Sequence, residues 1–296
     1  MTLLLWALAL GCGGAPAEEA GWLQSTSLFG LTQDGGLLYL RATVGNTGLW
    51  KGAGHLRLVR SLGEGAPITL ARHEPAERVQ RDPAHGLLMI GPDGFSREEG
   101  RHAFVHRGPE SGLSLTLWPS ALPAAEASRL TEAGERHVEI GPLCGAFDGW
   151  LEAGGVGGRL GGKATLLRDG GDRPAPLPRY TFFAADGDTC LFVDGSPAEA
   201  LGSVSDAGVT IPLGLAADDA GGVRLAPEGL ATLTWSAVGS EPVARFELDA
   251  HLHPLERSLA APLRRGRTES LWAIRISGTL GSRPAQLNGL LRVVEP

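Results

Sequence analysis

Short segments of alternating polarity, each bounded by turn residues, dominate this chain of 296 residues and restrict the folds open to it. Two clear examples are His55 to Arg60 and Ile68 to His73, in which polar and apolar side chains alternate. Successive side chains of a strand point to opposite faces, so this alternation predicts a sheet with one buried face and one wetter face. The 44 Gly and 20 Pro follow no collagen-like period and are placed to provide turns.

The number of strands predicts the architecture. Roughly twenty short strands, with turn signals about every 8–12 residues, are typical of sandwiches and up-and-down barrels. The segment from Pro123 to Gly134 is the one helical candidate, and we interpret it as a short helix or a linker. We therefore predict an all-β protein of two tandem antiparallel β-barrels with few short helices. The expected units are residues 21–134 and 135–296, after a leader at residues 1–20.

Composition narrows the range of partners. The hydrophobic content of 43% is enough for a buried core, so a disordered chain is not expected. The formal net charge of -7 argues against nucleic acid, which needs a basic surface.

The first residues are typical of an exported protein. The apolar run from Leu3 to Leu10 is too short to span a membrane and reads as part of a secretion signal. The sequence that ends at Cys12 resembles a bacterial lipobox, although no Lys or Arg precedes it and Ala9 takes the place of a Leu. We predict a lipoprotein of the bacterial cell envelope, anchored in a membrane through Cys12, at the outer membrane or the periplasmic face. A signal that is cleaved without lipidation, or not cleaved, is the alternative.

Two further cysteines, Cys144 and Cys190, complete the set. An exported protein resides where disulfides persist, but pairing cannot be read from the sequence. A disulfide and two buried thiols therefore both remain open.

The stretch from Arg179 to Gly195 predicts a hairpin that turns at Asp186 and Gly187. In the return strand, Cys190, Phe192 and Asp194 share one face. We expect this face to line a barrel, which makes Asp194 the candidate for acid or base chemistry.

Several segments resemble one family. They are Leu31 to Tyr39 with the turn at 45–48, Asp93 to Ser96, Arg179 to Gly195, and the ending from Arg265 to Glu295. Together they are similar to the tandem lipocalin-like proteins that include carotenoid 1,2-hydratase, the fungal survival factors and the AttH-like proteins. The resemblance implies two lipocalin-like barrels with a ligand pocket.

Hydratase activity does not follow from this resemblance. The family site has a His-x-Trp pair and a later Tyr-x-Asp pair. Here Asp194 is kept, Phe192 replaces the Tyr, and Ala164 to Leu167 contains no His or Trp. Because proton transfer needs a donor within hydrogen-bond reach, the chain lacks two candidate groups for that reaction.

Other motifs predict no metal or cofactor. His251 and His253 share a strand face but have no third ligand nearby, and His102 and His106 are too far apart along a strand to bind one ion. The Gly-rich segment at 154–162 lacks the ending of a phosphate loop and reads as a loop or a bulged strand. No Gly-x-Ser-x-Gly elbow is present.

We conclude from the sequence that the protein binds or carries a hydrophobic, lipid- or terpenoid-like small molecule. The expected ligand-binding residues are Phe192, Tyr180, Phe182 and Trp272. An enzyme that uses Asp194 on a terpenoid or lipid, and a structural envelope protein without a ligand, are the alternatives.

Overall fold

A computed structural model describes most of the chain. The described residues are 23–47, 50–61, 67–82, 85–118, 125–131, 134–141, 143–153, 155–171, 179–196, 199–206, 209–214, 230–234, 236–237, 244–258, 268–280 and 283–295. Apart from one 3₁₀ turn at Ala76–Arg78, the regular elements among them are β-strands, which confirms the predicted all-β class. None of the described residues form a helix long and apolar enough to cross a membrane.

The first sheet contains thirteen strands. They are β1 (Leu23–Thr32), β2 (Leu37–Thr47), β3 (Trp50–Ser61), β4 (Ile68–Glu74), β5 (Val79–Asp82), β6 (Leu87–Ile90), β7 (Asp93–Glu98), β8 (Arg101–Arg107), β9 (Ser111–Leu117), β10 (Ala125–Thr131), β11 (Gly134–Ile140), β12 (Gly145–Ala153) and β13 (Val156–Gly171). The order is β4-β3-β2-β1-β13-β12-β9-β8-β7-β6-β5, and the β10–β11 hairpin joins at β13. All of these pairings are antiparallel.

The second sheet contains nine strands. They are β14 (Arg179–Asp186), β15 (Thr189–Ser196), β16 (Glu199–Asp206), β17 (Val209–Gly214), β18 (Leu230–Thr234), β19 (Ser236–Ala237), β20 (Ala244–Ser258), β21 (Thr268–Leu280) and β22 (Arg283–Glu295). The order is β18-β20-β21-β22-β14-β15-β16-β17-β19. The predicted hairpin around Asp186 and Gly187 is present as β14 and β15.

The first sheet curls into a nearly closed barrel around an apolar core. Strands from distant positions in the sheet order contribute to this one cluster, such as Leu58 on β3 and Ile90 on β6. Leu38, Leu40 and Leu117 have almost no solvent contact, so these side chains and their neighbours fill the barrel interior around them. A small barrel can be filled in this way by its own side chains.

The two sheets pack against each other through their outer faces. Phe29 and Tyr39 of the first sheet share a buried cluster with Phe183 and Phe192 of the second. The rings of Phe29 and Phe192 meet edge to face with centroids 6.0 Å apart. Burial of aromatic side chains on both sides stabilises this contact.

The structure corrects three sequence-based expectations. The segment from Pro123 to Gly134 holds strand β10 and the start of β11 rather than a helix. Its Ala, Glu and Leu favour a helix, but intrinsic propensity is a weak determinant of structure and strand pairing overrides it here. Consequently β11 to β13 pair within the first sheet, and the sheets divide between Gly171 and Arg179 instead of at residue 134. The Gly-rich segment was expected to be a loop or a bulged strand; from Val156 on it is part of β13, in regular register with β12 and without a bulge.

The exposure of two tryptophans also differs from expectation. Large aromatic side chains are usually buried in a core, but Trp118 and Trp150 are 38% and 52% exposed. Both lie on the outer face of the first barrel, because the alternate residues of β9 and β12 belong to its interior.

Candidate functional site

The face that carries Phe192 and Asp194 packs against the first sheet. Residues Leu191 and Val193 point the other way, toward the inside of the second sheet. We expected the Asp194 face to line a barrel, and this expectation was wrong. Alternation along a strand shows which residues share a face, but it does not show which face turns inward.

Asp194 is held in an ion pair. Arg179 donates from Nε to Asp194 Oδ1 at 3.0 Å and from Nη2 to Oδ2 at 2.5 Å, and Thr181 Oγ1 donates to Oδ1 at 2.7 Å. The same Arg179 donates from Nη1 to Asp169 Oδ2 at 2.6 Å, which links the second sheet to β13 of the first. A two-point guanidinium contact of this kind fixes both carboxylate oxygens, so these contacts favour a structural role for Asp194.

A second buried charged cluster lies between the sheets around Glu269. Tyr39 Oη donates to Glu269 Oε1 at 3.1 Å, and Arg41 pairs with Oε2. Arg57 and Arg292 each approach Oε1 at 3.4 Å. Burial and the nearby Glu269 raise the pKa of Tyr39, so the phenol stays protonated and donates. These contacts fix the relative position of strands from both sheets.

Three of the four predicted ligand-binding residues lie on the inner face of the second sheet. Tyr180 and Phe182 lie on β14, and Trp272 lies on β21. Both strands pair with β22, where Leu291 stands opposite both Phe182 and Trp272 and Val293 stands opposite Tyr180. The three rings therefore lie in two neighbouring rows, on the two strands that flank β22.

These three rings differ in exposure. Phe182 is completely buried, Tyr180 is nearly so, and Trp272 is partly exposed. Trp272 Nε1 donates to Ser270 Oγ at 2.9 Å, which satisfies its polar group and orients the ring. An aromatic surface with a partly accessible indole is typical of an apolar ligand site.

The remaining predicted site residues are placed as follows. Cys144 and Cys190 form a disulfide with Cα atoms 5.8 Å apart, which joins the two sheets. Cys12, His251 and His253 lie outside the residues whose side chains the structure describes. Among the described residues, no three His, Cys, Asp or Glu side chains are grouped to hold a metal ion.

Sequence reasoning missed the buried charges between the sheets. Arg41, Arg57, Glu269 and Arg292 alternate with apolar residues in their strands, so they read as the wet outer face of each sheet. A signal was present in part, because each of these four strands carries an aromatic or aliphatic residue on the same face, at Tyr39, Val59, Leu271 and Leu290. An outer face with both charged and large apolar residues is better interpreted as a contact surface.

The protein consists of two curved antiparallel sheets, and the outer face of one packs against the outer face of the other. This arrangement defines a tandem lipocalin-like barrel protein. No family model and no curated protein matches the sequence. Solved structures with the same fold include a Nitrosomonas europaea protein provisionally assigned as AttH, with 15% identity, a TM-score of 0.57 and coverage of 98% of each chain.

Two further structures have this fold. Kievitone hydratase from Nectria haematococca is 14% identical, with a TM-score of 0.53 and coverage of 96% of this chain and 92% of that one. CghA is 13% identical, with a TM-score of 0.60 and coverage of 93% and 88%. The expected resemblance is thereby confirmed for the fold.

Proposed function

We propose that the second barrel binds a hydrophobic small molecule against Tyr180, Phe182 and Trp272. The placement of these rings on one inner face, with Trp272 partly exposed, carries the proposal. CghA has been solved with Sch210972, so a protein of this fold can bind a small organic molecule.

The alternative enzyme site at Asp194 has less support. Its carboxylate oxygens accept hydrogen bonds from Arg179 and Thr181 on the face that packs against the first sheet. A group held in this way has little freedom to exchange a proton with an apolar ligand on the opposite face.

The binding site is tested with an apolar fluorescent probe, N-phenyl-1-naphthylamine, and a pair of tryptophan variants. We expect Trp272→Leu to weaken binding of the probe about tenfold, because loss of one aromatic contact costs on the order of 1.4 kcal/mol. Trp150→Leu is the matched control, since Trp150 is exposed on the outside of the first barrel. Equal affinity of Trp272→Leu and the parent protein would reject this site.

The proposed ligand is identified by native mass spectrometry of protein purified from its source. A copurified lipid or terpenoid that is absent from the Trp272→Leu variant supports the proposal. A structural envelope protein would carry no such molecule, and its probe affinity would not depend on Trp272.

We also propose that Cys12 is lipidated and anchors the protein in the bacterial cell envelope. The apolar run before Cys12 and its lipobox-like context support this. Partition into detergent during Triton X-114 phase separation is the measurement. Cys12→Ser should move the protein to the aqueous phase, whereas Gly14→Ser should leave it in detergent; aqueous partition of the parent protein would exclude the anchor.

A further inference from the structure

A serine, a histidine and an aspartate from three strands meet at the first barrel. Asp93 begins β7, His106 lies near the end of β8 and Ser111 begins β9. His106 Nε2 lies 3.0 Å from Ser111 Oγ, and His106 Nδ1 lies 2.8 Å from Asp93 Oδ2. A nucleophile within reach of a base, which a third group orients, is the arrangement of an activated serine.

The surroundings of Asp93 fix the orientation of His106. Asp93 is fully buried, and its Oδ1 accepts a hydrogen bond from the Arg107 backbone N–H at 2.7 Å. Arg72 Nε lies 2.5 Å from Oδ2. Burial pushes the pKa of Asp93 upward, but the contacts with His106, Arg107 and Arg72 outweigh it and hold the pKa below its usual value.

The ionised carboxylate determines which ring nitrogen carries the proton. Nδ1 of His106 faces Asp93, so it holds the hydrogen and donates it. Nε2 then has a free lone pair, which accepts the Ser111 hydroxyl proton. This tautomer is the one that a general base needs.

Ser111 is accessible although its partners are buried. It is half-buried and directly follows a turn at residues 108–110, in which Pro109 and Glu110 are exposed. The turn is closed by the Gly108 N–H, which donates to the Ser111 carbonyl oxygen at 2.7 Å. A Cβ at position 108 would lie 2.4 Å from Ser111 Oγ, so Gly108 leaves the space beside the hydroxyl open.

We propose that Ser111, His106 and Asp93 form a nucleophilic site that hydrolyses carboxylic esters with a small acyl group. Apolar side chains such as Phe104 and Leu113 fill the barrel behind the site, which limits the acyl group to a short one. This activity is independent of the proposed ligand site, whose residues belong to the second sheet.

The reaction has two steps. Ser111 Oγ attacks the ester carbonyl carbon as its proton passes to His106 Nε2, and the C–O bond to the alcohol breaks as Nε2 returns that proton to the leaving oxygen. Water then attacks the acyl carbon and gives a proton to Nε2, which passes it to Ser111 Oγ as the acyl–serine bond breaks. The net change is one ester and one water converted to an acid and an alcohol, and Asp93 acts as a positioning residue throughout.

The test uses the folded full-length chain with a fluorophosphonate probe and p-nitrophenyl acetate. We expect the probe to label Ser111, as located by peptide mass spectrometry. Ser111→Ala should abolish this labelling and lower hydrolysis by at least about 100-fold, because it removes the nucleophile. Ser114→Ala is the matched control, since Ser114 lies on the same strand and is exposed on the outer face.

Circular dichroism of both serine variants shows whether they keep the parent fold. Labelling at Ser111 with loss of hydrolysis only in Ser111→Ala supports the site. Absence of Ser111 labelling in the native parent protein overturns it, as does hydrolysis that is unchanged in Ser111→Ala. Neither result depends on Trp272, so the ligand proposal is tested separately.

Discussion

His102 lies on the same strand face as Phe104 and His106, directed to the interior of the first barrel. Arg168 Nη2 lies 3.3 Å from His102 Nδ1. The second guanidinium nitrogen, Arg168 Nη1, donates to Glu139 Oε2 at 2.9 Å. Burial is the main cause that lowers the pKa of His102 to about 4, and the charges of Arg168 and Arg97 add to it, while Glu139 opposes it. His102 is therefore neutral in the folded protein at neutral pH.

This lowered pKa predicts a loss of stability in mild acid. The unfolded chain, with a His pKa of about 6.5, binds a proton that the folded chain binds only near pH 4. The unfolding free energy should fall by roughly 2–3 kcal/mol as pH drops from about 6.5 to about 4. Urea denaturation at several pH values measures this dependence.

Two variants separate His102 from the other titrating groups. His102→Gln should flatten the pH dependence across this range, whatever its effect on stability at neutral pH. His85→Gln should keep the parent slope, since His85 is exposed and contacts only Asp82 in the described structure. An unchanged slope in His102→Gln would contradict the prediction.

At the scale of elements, the Arg179–Asp194 pair joins β14 to β15, and the contact of Arg179 with Asp169 extends the link to β13. Asp194→Asn would leave the buried Arg179 with one carboxylate partner instead of two. Removal of one partner of a buried ion pair lowers the unfolding free energy by about 3–5 kcal/mol. We expect a loss of this order in the unfolding free energy, as measured by chemical denaturation.

Asp148→Asn is the matched control for the buried pair. Asp148 forms a similar two-point contact with Arg159, but on the solvent-exposed side of β12 and β13. Exposed pairs contribute little to stability because water and salt screen them. Equal losses of unfolding free energy in the two variants would show that the buried Asp194 contact stabilises the fold no more than an exposed ion pair does.

Single strands were the easiest elements to predict from this sequence. The alternation from His55 to Arg60 lies within β3, and the Asp186–Gly187 turn closes the β14–β15 hairpin. The segment at 123–134 was harder, because its helix-favouring residues form β10, which pairs with β11, and β11 in turn pairs with the distant β13. Pairing partners far apart in the chain are not encoded in local propensity.

At the scale of the whole molecule, the sequence did not reveal that both sheets pack through outer faces. Phe192 and Asp194 were therefore assigned to a lumen, whereas Tyr180, Phe182 and Trp272 do share an inner face. The Ser111, His106 and Asp93 group was missed for a related reason. Its members become neighbours only when β7, β8 and β9 align, and no local motif marks them.

The Cys144–Cys190 disulfide acts on the whole molecule because it links a residue just before β12 to β15 across the two sheets. It closes a loop with a sequence separation of 46 residues that includes β12, β13 and β14. In the chain-entropy model a loop of this length stabilises the folded state by about 4 kcal/mol, since it restricts the unfolded chain.

Cys144→Ala/Cys190→Ala should therefore unfold at a lower denaturant concentration than the parent protein, with a loss of about 4 kcal/mol. Reductant should lower the stability of the parent toward that of the variant and leave the variant unchanged. The apolar and charged contacts between the sheets remain in the variant, so its folded state should keep the parent circular dichroism spectrum. A parent protein whose stability does not respond to reductant would show that these contacts alone hold the two barrels together.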